Sequence, residues 1–215
     1  MDEAFIGIDL GTTNTLVCYE KKGKPVTIHF PGSGEMLPSV LYVKENGEYV
    51  IGKQAKELII PDPENGIYSS KTFMGDFKKT WKCRNHDFTP TDVASEILKE
   101  VYKTVAKKLK LEPDKTINAV ITVPAYFNSN QNDETRKAGE AAGFNVLRII
   151  TEPMAAAVAA IKELNLESDG KVFVVDLGGG TFDLSVLKPD HVNHTYTAID
   201  IDGDRHPNLL YNLHI

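Results

Sequence analysis

Two stretches rich in β-branched apolar residues lie far apart in the chain and have nearly the same pattern. They occupy residues 5–18 and 173–187. Each consists of a short apolar run that ends at an aspartate, a tight turn with glycine and hydroxyl side chains, and a second apolar run. This pattern predicts two β-hairpins, each with an acidic residue at its bend.

The rest of the hydrophobic pattern predicts an α/β arrangement. Apolar residues at four-residue spacing follow Thr89 and Pro90, which is typical of a capped amphipathic helix that begins at Pro90. Further strands are expected at 26–30, 40–43, 117–123 and 146–150, and helices at 53–58, 129–142 and 154–164. Residues 44–87 show little periodicity, and residues 71–75 are expected to form a loop or a helix edge. Strands that alternate with helices favour an α/β fold over a sandwich or a bundle.

The two glycine turns have the composition of a phosphate-binding device. A phosphate chain needs backbone amides brought very close, which glycine permits, and hydroxyl groups add further donors. Because Asp9 and Asp176 would repel phosphate, two such acids at one site imply an intervening cation, for which hydrated Mg²⁺ is the candidate. The residues therefore predict a Mg-nucleotide as ligand. An ordinary hairpin is the alternative for either copy alone, and it accounts less well for two copies.

Composition and charge exclude several classes of protein. The chain has 215 residues, of which 41% are hydrophobic and 25% charged, as in ordinary globular proteins. Its net charge of −6 argues against a general nucleic-acid partner. Two cysteines, Cys18 and Cys83, lack metal-site spacing, no apolar leader opens the chain, and no apolar stretch is long enough to span a bilayer. A reduced, cytoplasmic protein without nucleic-acid or membrane partners is expected.

Four blocks of sequence resemble the ATPase region of the Hsp70 (DnaK-like) chaperones. They occupy residues 8–14, 123–128, 152–157 and 176–183. Sugar kinases and actin-like filament proteins share the duplicated hairpin, but the Val-Pro-Ala-Tyr-Phe-Asn block at 123–128 favours Hsp70. The resemblance runs from about residue 4 to about residue 188. It implies an actin-like, ribonuclease H-like α/β fold, of which only the first lobe is present, with a mixed sheet and flanking helices.

The resemblance also implies a role for individual residues. Asp9 and Asp176 would hold Mg²⁺ through water, Lys71 would reach the γ-phosphate, and Glu152 would position the attacking water. The implied catalytic residues are Lys71, Glu152, Asp176 and Thr181, and the implied ATP-binding residues are Gly11, Thr12, Thr13, Asn14, Gly178, Gly179, Gly180 and Thr181. Pro124 would relay the nucleotide state, and Arg148 would contact a J-domain co-chaperone. Without the resemblance, Lys71 is more simply a surface lysine and Glu152 a partner of the helix dipole.

The chain departs from the family pattern in three places. The segment between Lys71 and Thr89 is short, so residues 44–116 are expected to form a trimmed outer subdomain of a lobe that covers residues 1–188. Asn132 stands where the family carries an arginine, which leaves Arg136 as a candidate substitute. After Asp204 the family pattern stops. Residues 189–215 are therefore expected to be an atypical, loosely ordered tail that is the truncated start of a second lobe.

The sequence leaves three functional hypotheses open. The first is a chaperone ATPase that binds and hydrolyses Mg-ATP to drive protein folding in the complete protein, with unfolded polypeptides and a J-domain co-chaperone as partners, although the substrate domain is absent here. The second is a truncated, non-catalytic fragment that binds nucleotide weakly, because half a cleft leaves the phosphates open to water. The third is an actin-like, nucleotide-dependent scaffold. Weak or absent turnover is expected of the isolated chain.

Overall fold

The computed structural model describes residues 3–112, 115–164, 170–177, 182–190 and 195–204. These residues divide into two units. The first unit consists of the described parts of residues 1–121 and 128–149, and the second of the described parts of residues 122–127 and 150–215. Within the described parts, no helix is long and apolar enough to span a membrane.

Strands and helices are interspersed along the described chain, and they alternate from α2 to β12, as the hydrophobic pattern predicts. The strands are β1 (Glu3–Leu10), β2 (Asn14–Lys21), β3 (Lys24–Thr27), β4 (Met36–Pro38), β5 (Val40–Val43), β6 (Tyr49–Ile51), β7 (Gly66–Tyr68), β8 (Trp81–Cys83), β9 (His86–Phe88), β10 (Thr116–Val123), β11 (Asn145–Thr151), β12 (Val172–Leu177), β13 (Phe182–Asp190) and β14 (Thr195–Asp204). The helices are α1 (Lys53–Ile59), α2 (Pro90–Leu109), α3 (Ser129–Ala141) and α4 (Glu152–Leu164), with 3-10 turns at Pro63–Asn65 and Ser70–Phe73.

The largest sheet has six strands and contains the first predicted hairpin. Its order is β11-β10-β1-β2-β3, with β4 paired to β2. Strands β1 and β2 are antiparallel, and their register places Asp9 opposite Leu16 and Leu10 opposite Thr15. Side chains alternate between the two faces of a strand. In β1 every second residue is buried, so one face of the strand lies against the core. The buried residues of β1 are Ala4, Ile6, Ile8 and Leu10. This confirms the predicted hairpin.

Helix α2 packs its apolar stripe into the core, as its spacing predicts. Its most deeply buried valine and isoleucine residues are Val93, Ile97, Val101 and Val105. Thr89 is its N-cap: the backbone N of Asp92 donates to Thr89 Oγ1 at 3.2 Å, and Thr89 N donates to Asp92 Oδ2 at 2.8 Å. This reciprocal pair is a capping box, which satisfies two backbone donors at the start of the helix. The predicted start at Pro90 is confirmed.

Helix α3 packs against α2 and lies unusually close to the sheet. A Cβ at Gly139 would lie 2.7 Å from Val146 Cγ2 and 2.8 Å from Ile121 Cδ1, so glycine permits this approach. Glu134 ties the two helices together, because it accepts a hydrogen bond from Thr91 Oγ1 at 2.7 Å. Hydrogen bonds from Lys137 and Thr91 lower the pKa of Glu134. The helix ends before Gly143, as predicted, where φ is +100°.

Residues 44–88 contain short strands that the sequence pattern does not predict, whereas the strand predicted at 40–43 is confirmed as β5. Strands β6, β5 and β7 form a three-stranded antiparallel sheet, and β8 and β9 form a separate hairpin. The small core of this region contains Val40, Tyr42, Val50 and Ala55. The predicted short helix at 53–58 is confirmed as α1, which packs on β5.

Four side chains of this region form a polar cluster that we call the Asp62 clasp: Tyr42, Asp62, Asn65 and Arg84. Asp62 Oδ2 accepts hydrogen bonds from Tyr42 Oη at 2.8 Å and from Arg84 Nη2 at 2.9 Å. Asn65 Nδ2 donates to Asp62 Oδ1 at 2.9 Å, and Arg84 Nε donates to the Val43 carbonyl at 3.0 Å. Hydrogen bonds from Tyr42 and Asn65, together with the charge of Arg84, lower the pKa of Asp62. The clasp therefore fixes the turn of the β8–β9 hairpin to strand β5.

The second unit contains a three-stranded antiparallel sheet, β12-β13-β14, on which α4 packs. The register of β12 and β13 places Asp176 opposite Asp183, so the second predicted hairpin is confirmed as an antiparallel pair. Its turn, residues 178–181, lies outside the described residues. Strand β14 corrects the expectation of a loosely ordered tail over Thr195–Asp204, because its backbone pairs with β13 there. Residues 205–215 lie outside the described residues.

Candidate functional site

The turn between β1 and β2 has a backbone geometry that requires glycine at its first position. A Cβ added to Gly11 would lie 2.3 Å from the backbone oxygen of Asn14, and no side-chain movement relieves such a contact. Thr12 is half-buried, and Thr13 is exposed. The turn therefore brings its backbone close together, with hydroxyl groups beside it, and this is the arrangement predicted to bind phosphate.

Ser39 holds this turn in place from the segment that follows β4. Its Oγ donates to the Gly11 carbonyl at 2.8 Å, and its backbone N donates to the Thr13 carbonyl at 2.8 Å. Thr15 Oγ1 lies 3.0 Å from Ser39 Oγ, and both side chains are buried. The turn is consequently attached to a second part of the chain at both ends.

Lys71 lies beside the same turn. It is the second residue of the 3-10 turn Ser70–Phe73, which begins after Ser69 in a left-handed conformation with φ of 53°. Only 6% of Lys71 is exposed, which is unusual for a lysine. A cavity of about 10 Å³, room for about one water molecule, is lined by Lys71, Gly11 and Thr12. The structure therefore brings the predicted lysine and the predicted phosphate turn together.

A wider cavity of about 240 Å³ opens along the same turn. The residues that line it include Thr12, Thr13, Lys56, Ile59 and Tyr68. Thr12 is thus shared between the small cavity of Lys71 and this wider one.

Asp9 lies two residues before the turn, on the face of β1 that is not buried. Its carboxylate is a hard oxygen ligand of the kind that Mg²⁺ prefers, and Mg²⁺ usually keeps several of its waters. Among the described residues, no three His, Cys, Asp or Glu side chains are grouped so as to hold a metal ion directly. An exposed carboxylate is open to the waters of a hydrated ion.

Pro124, Glu152 and Asp176 belong to the second unit. Pro124 is buried just after β10, and its carbonyl accepts a hydrogen bond from Phe127 N at 3.1 Å. Glu152 is the first residue of α4 and is half-buried. Asp176 is the penultimate residue of β12, and the structure describes its backbone but not its side chain. Also outside the described residues are Gly178, Gly179, Gly180 and Thr181.

Comparison with known proteins shows to which family this chain belongs. The model of the family described as Hsp70 protein matches residues 5–202. The chain belongs to the Hsp70 family. The chaperone protein dnaK of Cyanidium caldarium is 34% identical over 227 aligned positions, which cover 95% of this chain and 36% of that protein. The chaperone protein DnaK of Mycoplasmopsis synoviae (strain 53) is 41% identical over 204 positions, which cover 95% of this chain and 33% of that protein.

Membership of the Hsp70 family confirms the predicted fold class, an α/β actin-like ATPase lobe. The chain spans about a third of the length of these two relatives. Arg148, for which a co-chaperone contact is expected, is exposed on β11. Arg136, the candidate substitute for the missing Hsp70 arginine, donates a hydrogen bond from its guanidinium to the Val146 carbonyl. Arg136 is therefore engaged with β11 in this Hsp70 chain.

Sequence reasoning missed three polar residues: Ser39, which contacts the Gly11 turn, and Asn130 and Gln131, which contact the backbone after the Lys71 turn. Nothing in the residues around Ser39 indicates that it bonds to a turn 28 positions earlier. One signal was available for Gln131, because Asn128 and Gln131 have the spacing of a capping box. The box is present: Gln131 N donates to Asn128 Oδ1 at 3.0 Å, and Asn128 N donates to Gln131 Oε1 at 3.0 Å.

Proposed function

We propose that this chain is the first lobe of an Hsp70-type ATPase region and that it binds Mg-ATP by the phosphates. The lobe would comprise residues 1–188, with residues 44–116 as a trimmed outer subdomain. One observation carries the proposal: buried Lys71 lines a cavity with Gly11 and Thr12. These two residues belong to a turn whose backbone leaves no room for a Cβ at position 11. A buried cation beside preformed hydrogen-bond donors is suited to an anion with several oxygens.

In the first unit, the phosphates would meet backbone and hydroxyl donors of Thr12, Thr13 and Asn14. Lys71 would stabilise the charge that develops on the γ-phosphate oxygens in a loose phosphoryl-transfer transition state. Asp9 would hold Mg²⁺ through its waters, which fits its exposed position two residues before the turn. The ion would supply neutralisation of the phosphate charge.

In the second unit, we propose that Asp176 shares the waters of Mg²⁺ and that Glu152 positions the attacking water. Gly178, Gly179, Gly180 and Thr181 would bind phosphate from the second turn. The repetition in the sequence supports this part of the proposal, together with the antiparallel pairing of β12 and β13 on either side of that turn.

For the complete protein, we propose that ATP hydrolysis is coupled to the folding of unfolded polypeptides in the cytoplasm. Pro124 would transmit the state of the nucleotide, and exposed Arg148 would contact a J-domain co-chaperone. Support comes from family membership and from the names of the two relatives, which are chaperone proteins.

Calorimetry of the 215-residue chain with Mg-ATP tests the proposal. We expect the substitution Lys71→Met to weaken binding at least about tenfold, because a phosphate interaction of about 1.4 kcal/mol or more is removed. Lys78→Met is the matched control, since Lys78 is exposed, is close in sequence and carries the same charge. Equal effects of the two substitutions would contradict a phosphate site at Lys71.

The same titration, followed by a turnover assay, separates the remaining hypotheses. Binding tighter than about 10 μM, or roughly 7 kcal/mol, with measurable turnover would exclude a non-catalytic fragment. Sedimentation of the chain only in the presence of Mg-ATP would support the actin-like scaffold instead.

A further inference from the structure

Two side-chain amides of α3 hold the backbone just after the turn of Lys71. Gln131 Nε2 donates to the Met74 carbonyl at 3.2 Å, and Asn130 Nδ2 donates to the Gly75 carbonyl at 3.1 Å. We call these four residues, Met74, Gly75, Asn130 and Gln131, the amide junction. It connects two segments that are more than 50 positions apart in the sequence.

The amide junction is a close fit that depends on glycine. Gly75 has φ of +81°, in the left-handed region that side chains rarely adopt. A Cβ at this position would lie 2.8 Å from Asn130 Nδ2 and 3.0 Å from Gln131 Cγ. The absence of a side chain at Gly75 therefore allows α3 to reach the backbone that follows Lys71.

Gln131 uses both ends of its side-chain amide. Its Oε1 completes the capping box with Asn128, while its Nε2 reaches Met74. A glutamate can complete a capping box equally well, because the box needs only an acceptor at this position. Only an amide at position 131 also donates a hydrogen bond to the Met74 carbonyl. Gln131 is 8% exposed, so water does not readily replace that donor.

The amide junction is continuous with the turn that carries Lys71. Met74 N donates to the Lys71 carbonyl at 3.1 Å, which closes the 3-10 turn. Met74 also lines the small cavity that Lys71 shares with Gly11 and Thr12. The carbonyl of Met74 is thus fixed by α3, and its amide is fixed to Lys71.

We propose that Gln131 and Asn130 are positioning residues for Lys71, which hold its turn so that the buried lysine side chain stays beside the phosphate-binding turn. This inference rests on the proposed function for its effect on nucleotide binding. The two amides act on the backbone of Met74 and Gly75, and the lysine alone would contact phosphate. Their loss would allow the Lys71 side chain to leave its buried position.

Two variants of the full chain separate positioning from helix capping. Gln131→Glu keeps the acceptor of the capping box and removes the donor to Met74, while Asn130→Ala removes the donor to Gly75 and leaves the box intact. The first measurement is the acylation rate of each lysine, followed by mass spectrometry. Combined, the two substitutions should raise the rate at Lys71 about fivefold or more and leave the rate at exposed Lys78 unchanged. An unchanged rate at Lys71 would overturn the inference.

The second measurement is the affinity for Mg-ATP in the wild-type and Lys71→Met backgrounds. The combined substitutions should weaken binding about tenfold in the first background and less than about twofold in the second, because they act through Lys71. Equal losses in both backgrounds would show a merely structural role and overturn the inference. If the wild-type chain does not bind Mg-ATP, the proposed function fails, and the acylation rate alone decides whether the amides position Lys71.

Discussion

The amide junction and the Asp62 clasp perform similar tasks with different chemistry. Each fixes a turn whose backbone is left-handed, at Gly75 with φ of +81° and at Arg84 with φ of +53°. The junction uses neutral side-chain amides that donate to backbone carbonyls. The clasp uses a carboxylate and a guanidinium whose side chains are 33% and 26% exposed.

This difference indicates how each turn responds to its surroundings. Neutral amides do not titrate, so the junction keeps its hydrogen bonds over a wide range of pH. The clasp depends on a charged carboxylate and is open to screening by salt. The turn beside the candidate site is thus held by the chemistry that is less sensitive to conditions.

The largest effect is expected from adding a side chain at Gly75 in the amide junction. Gly75→Ala should lower the free energy of unfolding by about 3 kcal/mol, from left-handed strain and from the contacts of the new Cβ with Asn130 and Gln131. Gly23→Ala is the matched control, because Gly23 has φ of +78° and no atom within 4 Å of the added Cβ. We expect about 1 kcal/mol for the control.

Urea unfolding measures this free energy for the first unit when it is followed by the fluorescence of Trp81, the only tryptophan in the sequence. Equal losses for the two alanine variants would show that close packing at Gly75 contributes nothing beyond backbone strain.

An intermediate effect is expected from opening the clasp. Cys83 is 1% exposed, and burial raises the pKa of its thiol, so it should react slowly with an aromatic disulfide. In a Cys18→Ala background, Arg84→Ala should raise the rate at Cys83 about tenfold, because the β8–β9 hairpin loses its hydrogen bonds to Asp62 and Val43. Gln131→Glu should leave this rate unchanged. If both substitutions expose the thiol equally, the junction and the clasp are not independent.

The smallest effect is a dependence of stability on pH. The pKa of Asp62 is lowered below its ordinary value of 3.8, so its contribution to stability is complete above that value and is lost as the pH falls through the folded-state pKa. The difference in urea midpoint between wild type and Asp62→Asn should therefore shrink below pH 3.8. The difference for Asn130→Ala should stay constant. A constant difference for Asp62→Asn would argue that the carboxylate charge is unimportant in the clasp.

Local signals in the sequence predicted the long elements well. Thr89, Pro90 and the four-residue apolar spacing place the start of α2 correctly, because capping and burial of a stripe are encoded within a few residues. The partner strands of β5 and the β8–β9 hairpin were missed, since β6, β7, β8 and β9 have three residues each. Their support comes from distant partners, such as Tyr49 Oη, which lies 3.0 Å from His86 Nδ1.

The candidate site was predicted only in part, because some of its residues have a local signal in the sequence and others are placed by distant contacts. The glycine and hydroxyl composition of the first turn indicates phosphate chemistry, and the resemblance to Hsp70 singles out Lys71. The residues that hold these groups were not found, because Ser39 is 28 positions from Gly11 and Gln131 is 57 positions from Met74. A single sequence does not encode such pairings in any local pattern.

The attachment of the phosphate turn to Ser39 has a consequence for the entropy of binding. Hydrogen bonds to both Gly11 and Thr13 leave residues 11–13 few alternative conformations before any ligand arrives. Ordering a free loop costs about 1–2 kcal/mol for each residue, and a segment that is already ordered avoids most of that cost. An anion that binds at this turn would therefore lose little of its interaction free energy to ordering of the turn.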